Sequence, residues 1–255
     1  MMKKIFPDMY NRISGGHIFC IISYCIFGLV LLPGAMPYIA DGFYDNDLVL
    51  SWLELIYHVI NSIVLILILR DALKDAFLDL RFSIKSTLLT VLIAVAPMLV
   101  WIWVAPDVVM NFSGNGYFSL ISLDVFPVSP PSSMMTPGFL VTSNPLFGTL
   151  IMTLLVPFSV CGLYYATAFA PACCKKSWLG YLCVTVALLL AVLFDNRWQW
   201  NPEVMSQFLM ILPVHLLACW TYQKTDNIWS PIMTLGIFNL AASLFNNLVV
   251  NVIYN

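Results

Sequence analysis

Apolar residues in this chain gather into blocks about as long as a bilayer is thick, separated by short charged or turn-rich connections. A hydrocarbon core about 30 Å thick takes roughly 20 apolar residues of helix. Segments 18–40, 50–69, 84–105, 147–171, 178–194, 205–222 and 228–254 meet that length. They predict an all-α, polytopic transmembrane helical bundle of about seven spans. The first block is too long for the apolar part of a cleaved leader, and Gly34-Ala35-Met36-Pro37 lacks an A-x-A cleavage site, so it reads as a retained span. The blocks divide the chain into an N-terminal three-span region (1–105), a long loop (106–146) and a four-span region (147–255).

Composition excludes the other broad classes. Hydrophobic residues make up 61% of the 255 and charged residues 9%, with mean hydropathy +0.89. A soluble domain is about 45–50% apolar and about 25% charged. A soluble globular protein and a disordered chain are both excluded. Net charge is −2, so there is no basic field for nucleic acid. Cys20, Cys25, Cys161, Cys173, Cys174, Cys183 and Cys219 show neither zinc-like spacing nor a secreted disulfide framework, and read as small packing residues. Cys173-Cys174, next to Lys175-Lys176, is also a candidate for acylation.

Basic residues set the expected orientation. Lys3, Lys4 and Arg12 precede the first span. Arg70, Lys74, Arg81 and Lys85 lie between the second and third, Lys175 and Lys176 follow the fourth, and Lys224 follows the sixth. Only Arg197 falls on the opposite side. The positive-inside rule then predicts a multi-pass protein of the cell membrane with its N-terminus inside and its C-terminus outside. Two connections stand out. Residues 71–82 mix charged and apolar positions, which suits either a helix lying in the interface or a plain extension of the second span. The loop at 106–146 carries Gly114, Gly116, Pro127, Pro130, Pro131 and Pro137, and its aromatics suit resting on the membrane or capping the bundle.

The last hundred residues carry more specific signals. Asn144-Pro145-Leu146-Phe147-Gly148 opens a span ending in Tyr164-Tyr165-Ala166-Thr167-Ala168-Phe169-Ala170-Pro171, followed by Lys175-Lys176-Ser177-Trp178. Further on comes Trp220-Thr221-Tyr222-Gln223-Lys224-Thr225-Asp226-Asn227-Ile228-Trp229-Ser230-Pro231-Ile232. This resembles the CPBP family of intramembrane proteases (CAAX protease and bacteriocin-processing, also called Abi). The resemblance implies an intramembrane metallo-endopeptidase with a Glu-Glu-x-x-x-Arg motif on one span, a Phe-x-x-x-His on the next and a His-x-x-x-Asn on a later one. Here the glutamate positions fall on Val160 and Cys161, the arginine on Tyr165, the first histidine near Val192 and the second on Leu235. Only Asn239 is retained, and no Asp, Glu or His lies between Thr149 and Phe194. The expected catalytic set is therefore none, and no cofactor is expected.

Some polar residues remain within the apolar blocks. Glu54, His58 and Asn61 share a helix face, and His215 lies in mid-span beside Pro213. Glu54, His58 and His215 together make a His₂Glu zinc set, the one alternative metal site. The plainer reading is a Glu54–His58 pair at the outer interface and a hydrogen-bonded His215 between helices. Asn239, Asn246, Asn247 and Asn251, with Ser230, Thr234 and Ser243, are read as hydrogen-bonding glue on the last span, with a polar cavity lining as the alternative. Trp52, Trp101, Trp103, Trp178, Trp198, Trp200, Trp220 and Trp229 fall near span ends and predict an aromatic belt.

Three functions follow as expectations. The favoured one is a catalytically inactive relative of the CPBP proteases, a membrane-embedded binding or scaffolding protein with the lipid bilayer and a membrane-protein or peptide partner. The second is an active intramembrane metallo-endopeptidase using Glu54, His58 and His215 as substitute ligands. The third, a small channel or transporter, is weakened by the absence of internal repeats.

Overall fold

The computed structural model describes residues 47–113, 151–195, 200 and 202–253, and all the elements within them are helical. The first apolar block and most of the 106–146 loop lie outside the described residues.

Helix α1 runs without interruption over Asp47–Ser113, 67 residues, or about 100 Å at 1.5 Å per residue. The second and third apolar blocks, expected as separate spans, thus lie on one helix, and of the two readings of 71–82 the extension of the second block is the one observed. The sequence shows why. Charges at 70–85 end an apolar block, but residues 47–96 contain neither glycine nor proline. Ala72, Leu73, Lys74, Ala76, Leu78, Leu80 and Arg81 are all strong helix formers. Residues 71–82 are thus a continuation of the second block, and the start of the expected loop at 106–113 is helical too. Leu55, His58, Ser62, Leu65, Leu69, Leu73, Ala76, Leu80, Thr87, Val91, Ala94 and Met98 recur mostly at steps of three and four and form one buried stripe along this helix.

The block at 147–171 becomes a composite helix: π1 Ile151–Leu155, α2 Val156–Val160, π2 Cys161–Phe169 and α3 Ala170–Lys175. Each wide segment lies just before a proline, Pro157 and Pro171. A proline ring clashes with the carbonyl four residues back, and widening the preceding turns relieves that clash. Helices α4 Ser177–Asp195, α5 Pro202–Thr225 and α6 Trp229–Ile253 follow, with bounds close to those expected.

Helix α5 lies antiparallel to the second half of α1. Trp101 Nε1 donates to the Met210 carbonyl at 3.0 Å near one end, and Asn227 Nδ2 donates to the Ala76 carbonyl at 2.7 Å near the other. Among the described residues, the two stretches long and apolar enough to cross a membrane lie in this pair, Leu69–Trp101 and Val204–Thr225. The composite helix approaches α1 at Gly162, where an added Cβ would meet the Leu65 side chain, and α6 at Gly236, where it would meet the Thr153 carbonyl oxygen. Small residues at such crossings let helices pack closely. The core joins Leu65, Leu69 and Met98 of α1 with Tyr164, Phe169, Leu188, Val192, Cys219, Leu235 and Phe238.

Candidate functional site

One polar contact within the core is built where π2 faces α5. In an α-helix neighbouring side chains diverge by about 100°. The wider π turn brings them closer together, and Tyr164 and Tyr165 are both fully buried. Both rings lie against His215, with centroids 5.9 Å away in each case. Tyr165 Oη is 2.5 Å from His215 Nδ1. With the phenol donating, the imidazole proton sits on Nε2, which is buried without a hydrogen-bond partner among the described residues. Cys161 and Cys219 are buried on the same two elements and are free thiols. His215 is therefore a hydrogen-bonded histidine between helices, as the plainer reading expected.

Of the alternative metal set, the structure describes the side chains of His58 and His215. His58 and Asn61 are buried on α1, while the Glu54 side chain lies outside the described residues. No group of three or more His, Cys, Asp or Glu is placed to hold a metal ion among the described residues. Val160, Cys161, Tyr165, Val192, Leu235 and Asn239, the positions at which the resemblance would put the protease motifs, are all buried. Aliphatic and thiol side chains at those positions contribute packing and no charge.

A second polar cluster closes the turn between α5 and α6. Asp226 takes a left-handed backbone conformation, φ 53°, and its N–H donates to the Tyr222 carbonyl at 2.9 Å, ending α5. Burial pushes the half-buried Asp226 carboxyl above its ordinary range, and the Asp79 carboxylate pushes it the same way. Asn227 Oδ1 accepts the Trp229 N–H at 2.9 Å and so caps α6, while its Nδ2 ties the turn to α1. Trp229 Nε1 donates to the Leu73 carbonyl at 3.3 Å, and its ring packs edge-on to Phe77 at 6.0 Å and tilted against Phe158 at 6.2 Å. Trp101 and Trp229 thus also serve helix packing; Trp178 and Trp200 are exposed.

Ser230 and Thr234 join the same cluster. The Ser230 and Thr225 hydroxyls are 2.5 Å apart, and Thr234 Oγ1 donates to the Ser230 carbonyl at 2.8 Å. The Thr225–Ser230 contact, which joins α5 to α6, favours the glue reading for this part of α6, while the Thr234 bond is internal to the helix. The side chains of Ser243, Asn246, Asn247 and Asn251 lie outside the described residues.

Sequence reasoning singled out His215 but missed its phenol partner. The available signal was Pro171, six residues after Tyr165, which marks a helix forced out of α geometry. No family model, curated protein or solved structure matches the chain.

Proposed function

We propose that this chain is a multi-pass integral membrane protein with a non-catalytic interior, serving as a membrane-embedded binding or scaffolding element for another membrane protein or a peptide. The observation that carries the membrane part is the outer face of α1. Ile56, Ile60, Ile63, Ile66 and Leu67 before the charged belt, and Leu89, Leu92, Ile93 and Val100 after it, are exposed large apolar residues. Contiguous apolar surface of this extent marks contact with lipid or partner. A soluble core helix would be mostly buried, whereas only 28% of the apolar window within Leu69–Trp101 is.

The orientation has support from three connections gathered at one end of the bundle. The belt of α1 meets the α5–α6 turn through Ala76 and Asn227, and Gln223 at the end of α5 hydrogen-bonds Ser177 and Tyr181 at the start of α4. Lys74, Lys176 and Lys224 are therefore carried near one another, which supports a cytoplasmic assignment for that end. Seven crossings require the chain to reverse across 70–85. The unbroken α1 favours a second topology, in which this helix crosses once through its second half.

The non-catalytic part rests on the chemistry of the buried positions. Intramembrane acids and histidines are costly and are kept for function. If the chain descends from a CPBP-like protease, substitution of Val, Cys, Tyr, Val and Leu has turned the hydrolytic centre into packed core. Reconstituted protein assayed with unfolded protein substrates, with and without a metal chelator, tests this. No chelator-sensitive cleavage is expected; cleavage abolished by His58→Ala or His215→Ala would establish the endopeptidase alternative.

A further inference from the structure

The charged belt of α1 is sorted by sign. At about 100° per residue, Arg70, Lys74, Arg81 and Lys85 fall within about 60° of one another, forming a basic ridge roughly 22 Å long. Asp71, Asp75 and Asp79 fall on a different face, and the buried stripe through Leu69, Leu73, Ala76 and Leu80 occupies a third. All seven charged side chains are exposed. Helical stability does not explain this sorting. It sets like charges four residues apart at 70/74, 81/85 and 71/75/79, and such pairs destabilise an isolated helix. A partner outside the helix accounts for it.

The basic ridge is continued by exposed apolar residues, Ile63 and Leu67 on one side and Leu88 and Leu92 on the other, with exposed Phe77 between its two basic pairs. Exposed Lys176 and Lys224, with exposed Trp178, belong to the same end of the bundle. Charge flanked by apolar surface on one line matches an anionic phospholipid, whose phosphate sits beside its acyl chains. We propose that Arg70, Lys74, Arg81 and Lys85 form a docking ridge for the headgroups of anionic phospholipids. The proposal rests on the membrane reading above, and juxtamembrane basic residues are attracted to an anionic leaflet.

The test uses the full chain purified in a neutral detergent and delipidated. Binding of phosphatidylglycerol, phosphatidylcholine and free glycerol phosphate is compared at low and high salt. Phosphatidylglycerol is expected to bind at least tenfold more tightly than phosphatidylcholine, and less tightly as salt rises. Arg70→Gln/Lys74→Gln/Arg81→Gln/Lys85→Gln should abolish that preference, while Asp71→Asn/Asp75→Asn/Asp79→Asn should keep it. If the quadruple variant does not fold, Arg70→Gln/Lys74→Gln and Arg81→Gln/Lys85→Gln should each weaken the preference severalfold. Undiminished preference in the glutamine variants would overturn the proposal, as would glycerol phosphate binding as tightly as the lipid. Lipid selectivity would fail separately from the membrane reading, which is tested by whether alkaline carbonate releases the protein from membranes.

Discussion

Tyr165 reaches His215 because the turns before Pro171 are widened, and the pair then closes within an apolar core where neither group has water to fall back on. Tyr165→Phe would leave His215 Nδ1 buried without its partner, at a cost of about 1–3 kcal/mol. Adding His215→Leu should recover part of that loss, so the double variant is expected to be less destabilised than the two single effects summed. Thermal unfolding in detergent checks this, and strict additivity would show that the 2.5 Å contact carries no coupling. Asp226 offers a prediction of opposite sign. Its carboxyl is raised by burial and by Asp79, so the folded protein binds that proton more tightly than the unfolded chain does. Stability is therefore reduced above the folded value and regained as pH falls through it toward the unfolded value. Asn is also at home in a left-handed conformation. Asp226→Asn should raise the melting temperature at pH 7 and narrow the gain seen on acidification; a lower melting temperature at pH 7 would contradict this account of the turn.

At the scale of elements, apolar length predicted α4, α5 and α6 to within three residues at either end. The same reasoning missed the continuity of α1, because charge ends a span without ending a helix. It also missed π1 and π2, whose only signals are Pro157 and Pro171. The site was legible to a similar degree. His215 stood out as a polar residue in an apolar block, but Tyr165 was read only as the place of an expected arginine and Trp229 as an interfacial aromatic, since the helix geometry and the distant carbonyls that engage them are not local properties of the sequence. Continuity has a topological consequence. Single cysteines placed at Asp47 and Asp107, in a background without other cysteines, would report their side of the membrane to an impermeant thiol reagent. An unbroken α1 crossing once predicts labelling at 107 and none at 47 from outside. Labelling at both would show the chain reversing across the charged belt, as seven crossings require.

For the whole molecule, the buried positions Val160, Cys161, Tyr165, Val192 and Leu235 and the latched α5–α6 turn describe a frame that holds helices together. Asn227 and Trp229 fasten that turn to α1 through backbone carbonyls at Ala76 and Leu73, so the face presented to lipid or to a partner is fixed by contacts far apart in sequence. The endopeptidase alternative needs Glu54, His58 and His215 to share one ion at ligand distances near 2 Å. Metal content of the detergent-purified protein, measured by elemental analysis after extensive dialysis, tests the central claim most directly. The account predicts no transition metal near one equivalent, in the native chain as in the His58→Ala and His215→Ala variants. A near-stoichiometric metal that disappears on either substitution would contradict it and establish a metal site that uses that histidine.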